Sequence, residues 1–147
     1  MTQTYDTLGM PQIEGQKLDG PETLDGVLGF SFTGATEDTA TGEVAFADRI
    51  CQRFAMVHGG MYAALAEMVA TEGTVHNVWD DGNFCSGLSN STNFMRPITS
   101  GSKVRAQATA RHRGRSTWIW DVNLLDDEDR VCAMSRVTIA VRPRKSG

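Results

Sequence analysis

The most regular hydrophobic pattern of the chain lies in its last third. From Val104 to Arg111 apolar and polar residues alternate strictly, with the period of two that a half-buried strand shows. Apolar residues also alternate over 118–124 and 131–141, on either side of the polar run 126–129. Strands joined by short turns pair antiparallel, so these segments predict an antiparallel sheet with one face covered.

A long apolar segment supplies the cover. The stretch from Gly59 to about Val78 lacks proline, is rich in alanine and methionine, and ends before Asp80-Asp81-Gly82. Twenty residues at 1.5 Å each make a helix about 30 Å long, and its apolar residues lie nearly all round it. The pattern therefore predicts an α+β fold in which five to six antiparallel strands wrap around one long central helix. The spare apolar surface of the helix predicts a partner subunit.

The first part of the chain has weaker patterns. Residues 27–33 and 41–48 predict two strands joined by a turn at 37–38, and residues 1–26 read as an irregular leader. We find no internal repeat or linker, so residues 1–147 are predicted to form one domain. Neither a secretory signal nor a membrane-spanning run is evident, which predicts a cytoplasmic protein.

Charge is divided unevenly along the chain. The net charge is −4, yet residues 96–147 hold 11 of the 14 Lys and Arg and 5 of the 18 Asp and Glu, a balance of +6 that leaves −10 for residues 1–95. A basic half on an acidic chain fits a polyanionic ligand better than duplex DNA, so no nucleic-acid partner is predicted. Surface charge without any partner is the alternative.

The three cysteines, Cys51, Cys85 and Cys132, are odd in number and far apart. This spacing predicts neither a disulfide framework nor a zinc site, and each reads as a small apolar residue. No metal is expected.

Glu67 is the unusual residue of the predicted helix. Most of its neighbours three and four positions away are small or apolar, and a buried carboxylate is costly unless it is hydrogen-bonded or functional. Thr71 follows at i+4 on the same face and could orient it. The alternative is that Glu67 occupies the one hydrated stripe of the helix.

The start of the helix is a second candidate. Val57-His58-Gly59-Gly60 removes Cβ atoms where a ligand could approach free N–H groups, which stabilise negative charge such as a thioester oxyanion. A plain turn explains the glycines equally well, and His58 is more often a capping residue than a base. Gly59 lies about 12 Å along the axis from Glu67, too far for both to act on one carbon within one chain. A shared site would require a dimer.

Several segments resemble the hot-dog thioesterases of the phenylacetyl-CoA type, and most closely the 4-hydroxybenzoyl-CoA thioesterases whose catalytic carboxylate is a helix glutamate. The similarity covers about residues 48–145. The segments that carry it are Gln52 to Glu67, Thr71-Glu72, Asn93 to Pro97, Trp118 to Val122 and Ile139 to Arg144.

The resemblance implies hydrolysis of an aromatic acyl-CoA, such as 4-hydroxybenzoyl-CoA, to the free acid and CoA. Glu67 would act as nucleophile or general base, with the Gly59 N–H and the Gln52 amide on the oxyanion. Thr71 would position the carboxylate or water, His58 would be structural, and Glu72 would reach a ring hydroxyl unless it is a solvated helix residue. The implied assembly is a homodimer or homotetramer, and no cofactor is needed beyond the CoA of the substrate.

The resemblance also implies contacts to the CoA phosphates or pantetheine, from Arg96, Ser116, Thr117, Arg144 and Lys145, in agreement with the basic C-terminal half. Arg115 replaces an expected small residue, and residues 73–85 diverge. Phenylacetyl-CoA or another acyl-CoA therefore remains an alternative substrate. A hydratase using one of the histidines and a non-catalytic acyl-CoA-binding protein are further alternatives.

Overall fold

The computed structural model describes residues 20–144. A 3-10 turn at Gly20–Glu22 opens the described part of the chain, which contains two α-helices and eight strands. The elements are α1 (Leu24–Leu28), β1 (Phe30–Ala35), β2 (Thr39–Ala45), a 3-10 turn at Asp48–Ile50, β3 (Cys51–Gln52), β4 (Met56–Val57), α2 (Gly59–Val78), β5 (Asn83–Phe94), β6 (Lys103–Arg113), β7 (Thr117–Leu125) and β8 (Val131–Pro143).

The main sheet has six strands in the order β1-β2-β6-β7-β8-β5, and every neighbouring pair is antiparallel. Helix α2 packs against all six of these strands and against β5 most of all. The predicted antiparallel sheet around one long helix is therefore confirmed, and the helix has the bounds expected from its apolar pattern. Strand β5 is an edge strand, and β3 and β4 form a separate two-stranded ribbon.

The core lies between α2 and the inner face of the sheet. Leu65 and Val69 of the helix are completely buried, as is Trp120 of β7. The Trp120 indole N–H donates to the Thr74 hydroxyl at 2.9 Å, so the polar edge of this buried ring is satisfied. A Cβ at Gly73 would lie 3.0 Å from the Trp120 ring, which shows how closely the helix approaches the sheet.

The predicted first strand differs from the structure at its start. Val27 and Leu28, predicted to begin the first strand, are the last two residues of α1. Thr23 caps the helix by accepting a hydrogen bond from the Gly26 N–H at 3.1 Å, and Gly29, with φ of 78°, ends it in the left-handed region. These two local signals override the strand propensity of Val27. Of the predicted leader, residues 1–19 lie outside the described part of the chain.

Candidate active site

Helices α1 and α2 enclose a cavity of about 300 Å³ beside Glu67. Its lining consists of Leu24 and Asp25 from α1 and Ala64, Glu67, Met68, Thr71 and Glu72 from α2. The cavity therefore combines three carboxylates and one hydroxyl with three apolar side chains.

Glu67 is exposed in the single chain, which agrees with the alternative that it occupies a hydrated stripe of the helix. Its carboxylate lies against the backbone of β5, where a Cβ at Gly87 would come within 2.6 Å of Oε1. Thr71, one turn further along the helix, is half-buried and lines the same cavity, so the structure brings the two together as the i+4 spacing predicts.

Glu72 is the carboxylate that the fold buries, with only 4% of its surface exposed. Its alternative interpretation as a solvated helix residue is therefore wrong. Burial raises the pKa of the neighbouring Cys85 thiol to about 12, and the negative charge of Glu72 adds to this shift. Glu72 lies about 140° round the helix from Glu67, yet both residues line the cavity.

Asp25 is a site residue that the sequence analysis missed. It lies in α1, is half-buried, and faces the cavity with Glu67. Burial raises the pKa of its carboxyl, and repulsion from Glu67 raises it further. Thr23 followed by Asp25 is a helix-start signal, but it lay inside the segment interpreted as an irregular leader.

The N-terminus of α2 leaves one backbone donor open. The His58 side chain caps the helix by accepting the Gly60 N–H at 2.8 Å, and the His58 carbonyl accepts the Met61 N–H at 3.0 Å. Within residues 20–144 the Gly59 N–H has no acceptor. His58 therefore caps the helix, and the Gly59 N–H stays open at its start.

Gln52 lies in the ribbon that leads into the same helix end. Its side-chain Oε1 accepts the Phe54 N–H at 2.8 Å, in a turn where Ala55 has φ of 58°. This bond occupies the oxygen of the amide and leaves its NH₂ group as a potential donor. In the described part of the chain that NH₂ group has no acceptor.

Glu67 and Gly59 do not meet within one chain. They lie about 12 Å apart along α2. Glu67 lies beside Gly87 of β5, whereas Gly59 lies beside Phe94, whose ring would be 3.0 Å from a Cβ at position 59. Within one chain, the Glu67 half and the Gly59 half of the candidate site therefore lie at different points along strand β5.

The candidate CoA-binding residues fall at separate places on one chain. Arg96 is exposed after β5, and Ser116 and Thr117 lie where β7 begins. The Arg144 guanidinium stacks on the Trp79 ring at 4.1 Å and donates to the Trp79 carbonyl at 2.9 Å. Lys145 lies outside the described residues.

Part of the basic half is neutralised within the chain. Arg111 and Arg136 both pair with Asp121, and Arg113 pairs with Glu37 and Asp38. The charges of these three arginines are therefore explained by ion pairs within the chain and do not require a ligand.

The three cysteines are free thiols. Among residues 20–144 no group of three or more His, Cys, Asp or Glu side chains could hold a metal ion. Over the same residues, no helix has both the length and the apolarity that crossing a membrane requires.

A curled antiparallel sheet wrapped around one long helix is the hot-dog fold. The family model for the thioesterase superfamily matches residues 54–133, and the chain belongs to this superfamily. It is a thioester hydrolase.

Bacterial relatives are similar in sequence to this chain along most of their length. The Pseudomonas aeruginosa protein PA1618 is 30% identical over 133 residues, which are 90% of this chain and 91% of the relative. The crystal structure of a mutant of thioesterase PA1618 matches with a TM-score of 0.79 at 28% identity, covering 88% of this chain and 98% of that one. A 1,4-dihydroxy-2-naphthoyl-CoA hydrolase of Listeria monocytogenes is 28% identical over 122 residues, 83% of this chain and 98% of the relative.

Proposed function

We propose that the protein hydrolyses a hydroxylated aromatic acyl-CoA, with 4-hydroxybenzoyl-CoA as the leading candidate, in a site shared by two subunits. The observation that carries the proposal is the position of Glu67 in a cavity that holds two further carboxylates, Asp25 and Glu72. A phenylacetyl-CoA substrate is the nearest alternative. A homotetramer and a cytoplasmic location stay predictions.

The free edge of β5 supports the shared site. The strand is twelve residues long, and Phe84, Leu88 and Phe94 are exposed along it. Such an edge invites pairing with a second strand, and two-fold symmetry makes it pair with itself. An antiparallel pair centred between residues 90 and 91 sets Gly87 opposite Phe94 of the partner subunit. Glu67 would then face the partner's Gly59.

The chemistry follows from this arrangement. The Glu67 carboxylate attacks the thioester carbonyl, or removes a proton from a water that attacks it. The carbonyl oxygen becomes an oxyanion, which accepts hydrogen bonds from the N–H of Gly59 and the amide of Gln52, both of the partner subunit. Collapse of the intermediate breaks the carbon–sulfur bond and releases CoA as its thiol, and water supplies the hydroxyl of the free acid. Thr71, which lines the same cavity, orients the water or the carboxylate.

The half-buried carboxylate of Asp25 supports a substrate whose ring carries a hydroxyl group. A carboxylate with restricted access to water gains from a hydrogen-bond donor on the ligand, whereas an acyl group that carries its own carboxylate would be repelled. The name of the Listeria relative specifies a dihydroxylated aromatic acyl-CoA, which agrees with this preference.

Mixed dimers test the shared site. Glu67→Ala and Gln52→Ala are prepared separately and then unfolded and refolded together, and thiol release is measured with 4-hydroxybenzoyl-CoA. Half of the dimers in an equal mixture are hybrids, and one of the two sites in each hybrid has both residues intact. Activity should therefore recover to about one quarter of the wild-type value. Each variant refolded alone is the control.

A mixture no more active than its components would place the whole site in one chain and refute the proposal. Benzoyl-, phenylacetyl- and aliphatic CoA esters are compared in the same assay on the wild-type enzyme. A preference for aliphatic chains would reject the aromatic substrate while leaving the thioesterase activity intact.

A further inference from the structure

Strand β5 contacts the helical turn of Glu67 through a polar cluster. Asn90 donates from Nδ2 to the Ala63 carbonyl at 2.8 Å. Its Oδ1 accepts the Thr92 hydroxyl at 2.7 Å and the Ser135 hydroxyl at 2.8 Å. The two hydroxyls lie 2.8 Å from each other, so the three side chains close a triangle between β5, β8 and the helix.

The Ala63 carbonyl oxygen, which accepts the hydrogen bond from Asn90, belongs to the helical turn that leads to Glu67. In an α-helix the carbonyl of residue 63 accepts the N–H of residue 67. The Ala63 oxygen therefore receives a bond from the sheet in addition to its bond within the helix. Ser135 is buried at 3% exposure, which anchors the cluster in the wall of the sheet.

The same strand also sets the space around the carboxylate. A Cβ at Gly87 would lie 2.6 Å from Glu67 Oε1 and 3.2 Å from the carboxyl carbon. The pairing register of β5 with β8 shifts between Gly87 and Ser89, a bulge next to the carboxylate. Bulges of this kind re-aim the chain beside functional groups.

We propose that Asn90 and Gly87 are positioning residues for Glu67: Asn90 fixes the backbone of its helical turn, and Gly87 leaves the space that its carboxylate occupies. This inference rests on the proposed function, because it assigns Glu67 the attack on the thioester. Neither residue needs to touch the substrate. Both act by holding the carboxylate at its distance from the reacting carbon, which must be near 3 Å.

The first test is Asn90→Leu, which keeps the size of the side chain and removes its hydrogen bonds. The Thr92 and Ser135 hydroxyls still have each other, so the variant should fold. We expect kcat with 4-hydroxybenzoyl-CoA to fall about 10- to 100-fold while KM changes less than about threefold, since a misplacement near 1 Å costs about that much in rate. Asn123→Leu is the matched control, because Asn123 is also a half-buried strand residue and lies on the opposite face of the sheet.

The Glu67→Ala background separates positioning from general loss of structure. If Asn90 acts through Glu67, Asn90→Leu should leave the residual rate of Glu67→Ala unchanged, because effects that act through one group are not additive. An equal loss in both backgrounds, or a kcat like that of Asn123→Leu, would overturn the positioning role. Near-normal turnover of Glu67→Ala alone would instead refute the proposed function.

Gly87→Ala tests the second half of the proposal. The new methyl group should displace the Glu67 carboxylate and lower kcat strongly, with Tm close to the wild-type value. In a Glu67→Asp background the carboxylate is one methylene shorter, so the same substitution should reduce kcat much less. The same fold-loss in both backgrounds would show that Gly87 does not act through the carboxylate.

Discussion

Replacement of Gly59 by proline isolates the proposed oxyanion donor. Gly59 is the first residue of α2, and its N–H has no acceptor among the described residues 20–144. Proline is favourable at this helix position because the N–H that it lacks is not used by the helix. His58, with φ of −69° and ψ of 133°, already has the extended backbone that a residue before proline prefers. The helix should therefore form normally.

Gly59→Ala is the matched control, since it adds a Cβ but keeps the N–H. In both variants this Cβ meets the Phe94 ring at 3.0–3.4 Å, and Phe94 is an exposed side chain that can move. Loss of one oxyanion donor costs about 10²–10³ in kcat, or about 2.7–4 kcal/mol. We expect Gly59→Pro to fall by this factor relative to Gly59→Ala, with similar Tm values for the two.

The assay is thiol release from 4-hydroxybenzoyl-CoA, together with thermal melting followed by circular dichroism. Equal kcat values for the two variants would refute the assignment of the Gly59 N–H to the oxyanion. A large loss in both variants with unchanged Tm would instead assign the effect to contact between the Cβ and Phe94.

Three further predictions concern titrating groups. The pKa of Asp25 is raised above 3.8 by burial and then by Glu67, so its ionisation destabilises the folded state as pH rises through the raised value. Asp25→Asn should therefore raise Tm near pH 7 but not near pH 3. A lower Tm of this variant near neutral pH would contradict the prediction. Because burial raises the pKa of Cys85 to about 12, its thiol should react much more slowly with iodoacetamide near pH 8 in folded than in unfolded protein. Peptide mass spectrometry measures the two rates, and equal rates would contradict the prediction. Hydrogen bonding from Arg136 lowers the pKa of Asp121 below 3.8, so its carboxylate stabilises the fold above that value and the contribution is lost as pH falls through the lowered pKa. Asp121→Asn should accordingly lower Tm near pH 7 and leave it unchanged near pH 2, whereas the same difference at both pH values would disprove the link.

The local patterns predicted most of the architecture. Strict alternation over 104–111 defined β6, because a period of two over eight residues excludes a helix. The apolar run from Gly59 to Val78 defined α2 by its length and its lack of proline. Helix α1 was missed because it is five residues long. In so short a segment the capping of Thr23 decides the conformation, and periodicity carries no information.

The assignment of burial to the two helix glutamates was the weakest part of the sequence analysis. Glu67 and Glu72 both stand among small and apolar neighbours, yet the fold exposes the first in a single chain and buries the second. A helix that is apolar nearly all round does not show which face meets the sheet and which remains open. That choice depends on how α2 lies across β5, and no local pattern records it.

The sequence by itself determined the longer elements and the antiparallel sheet around one helix. These properties follow from side-chain periodicity and from contacts within a few residues along the chain. The tertiary structure alone decided that Asp25 joins the cavity of Glu67, that Gly87 faces its carboxylate, and that Asn90 holds its helical turn. These contacts join residues 20 or more positions apart, and their geometry is set by the packing of α1 and β5 against α2.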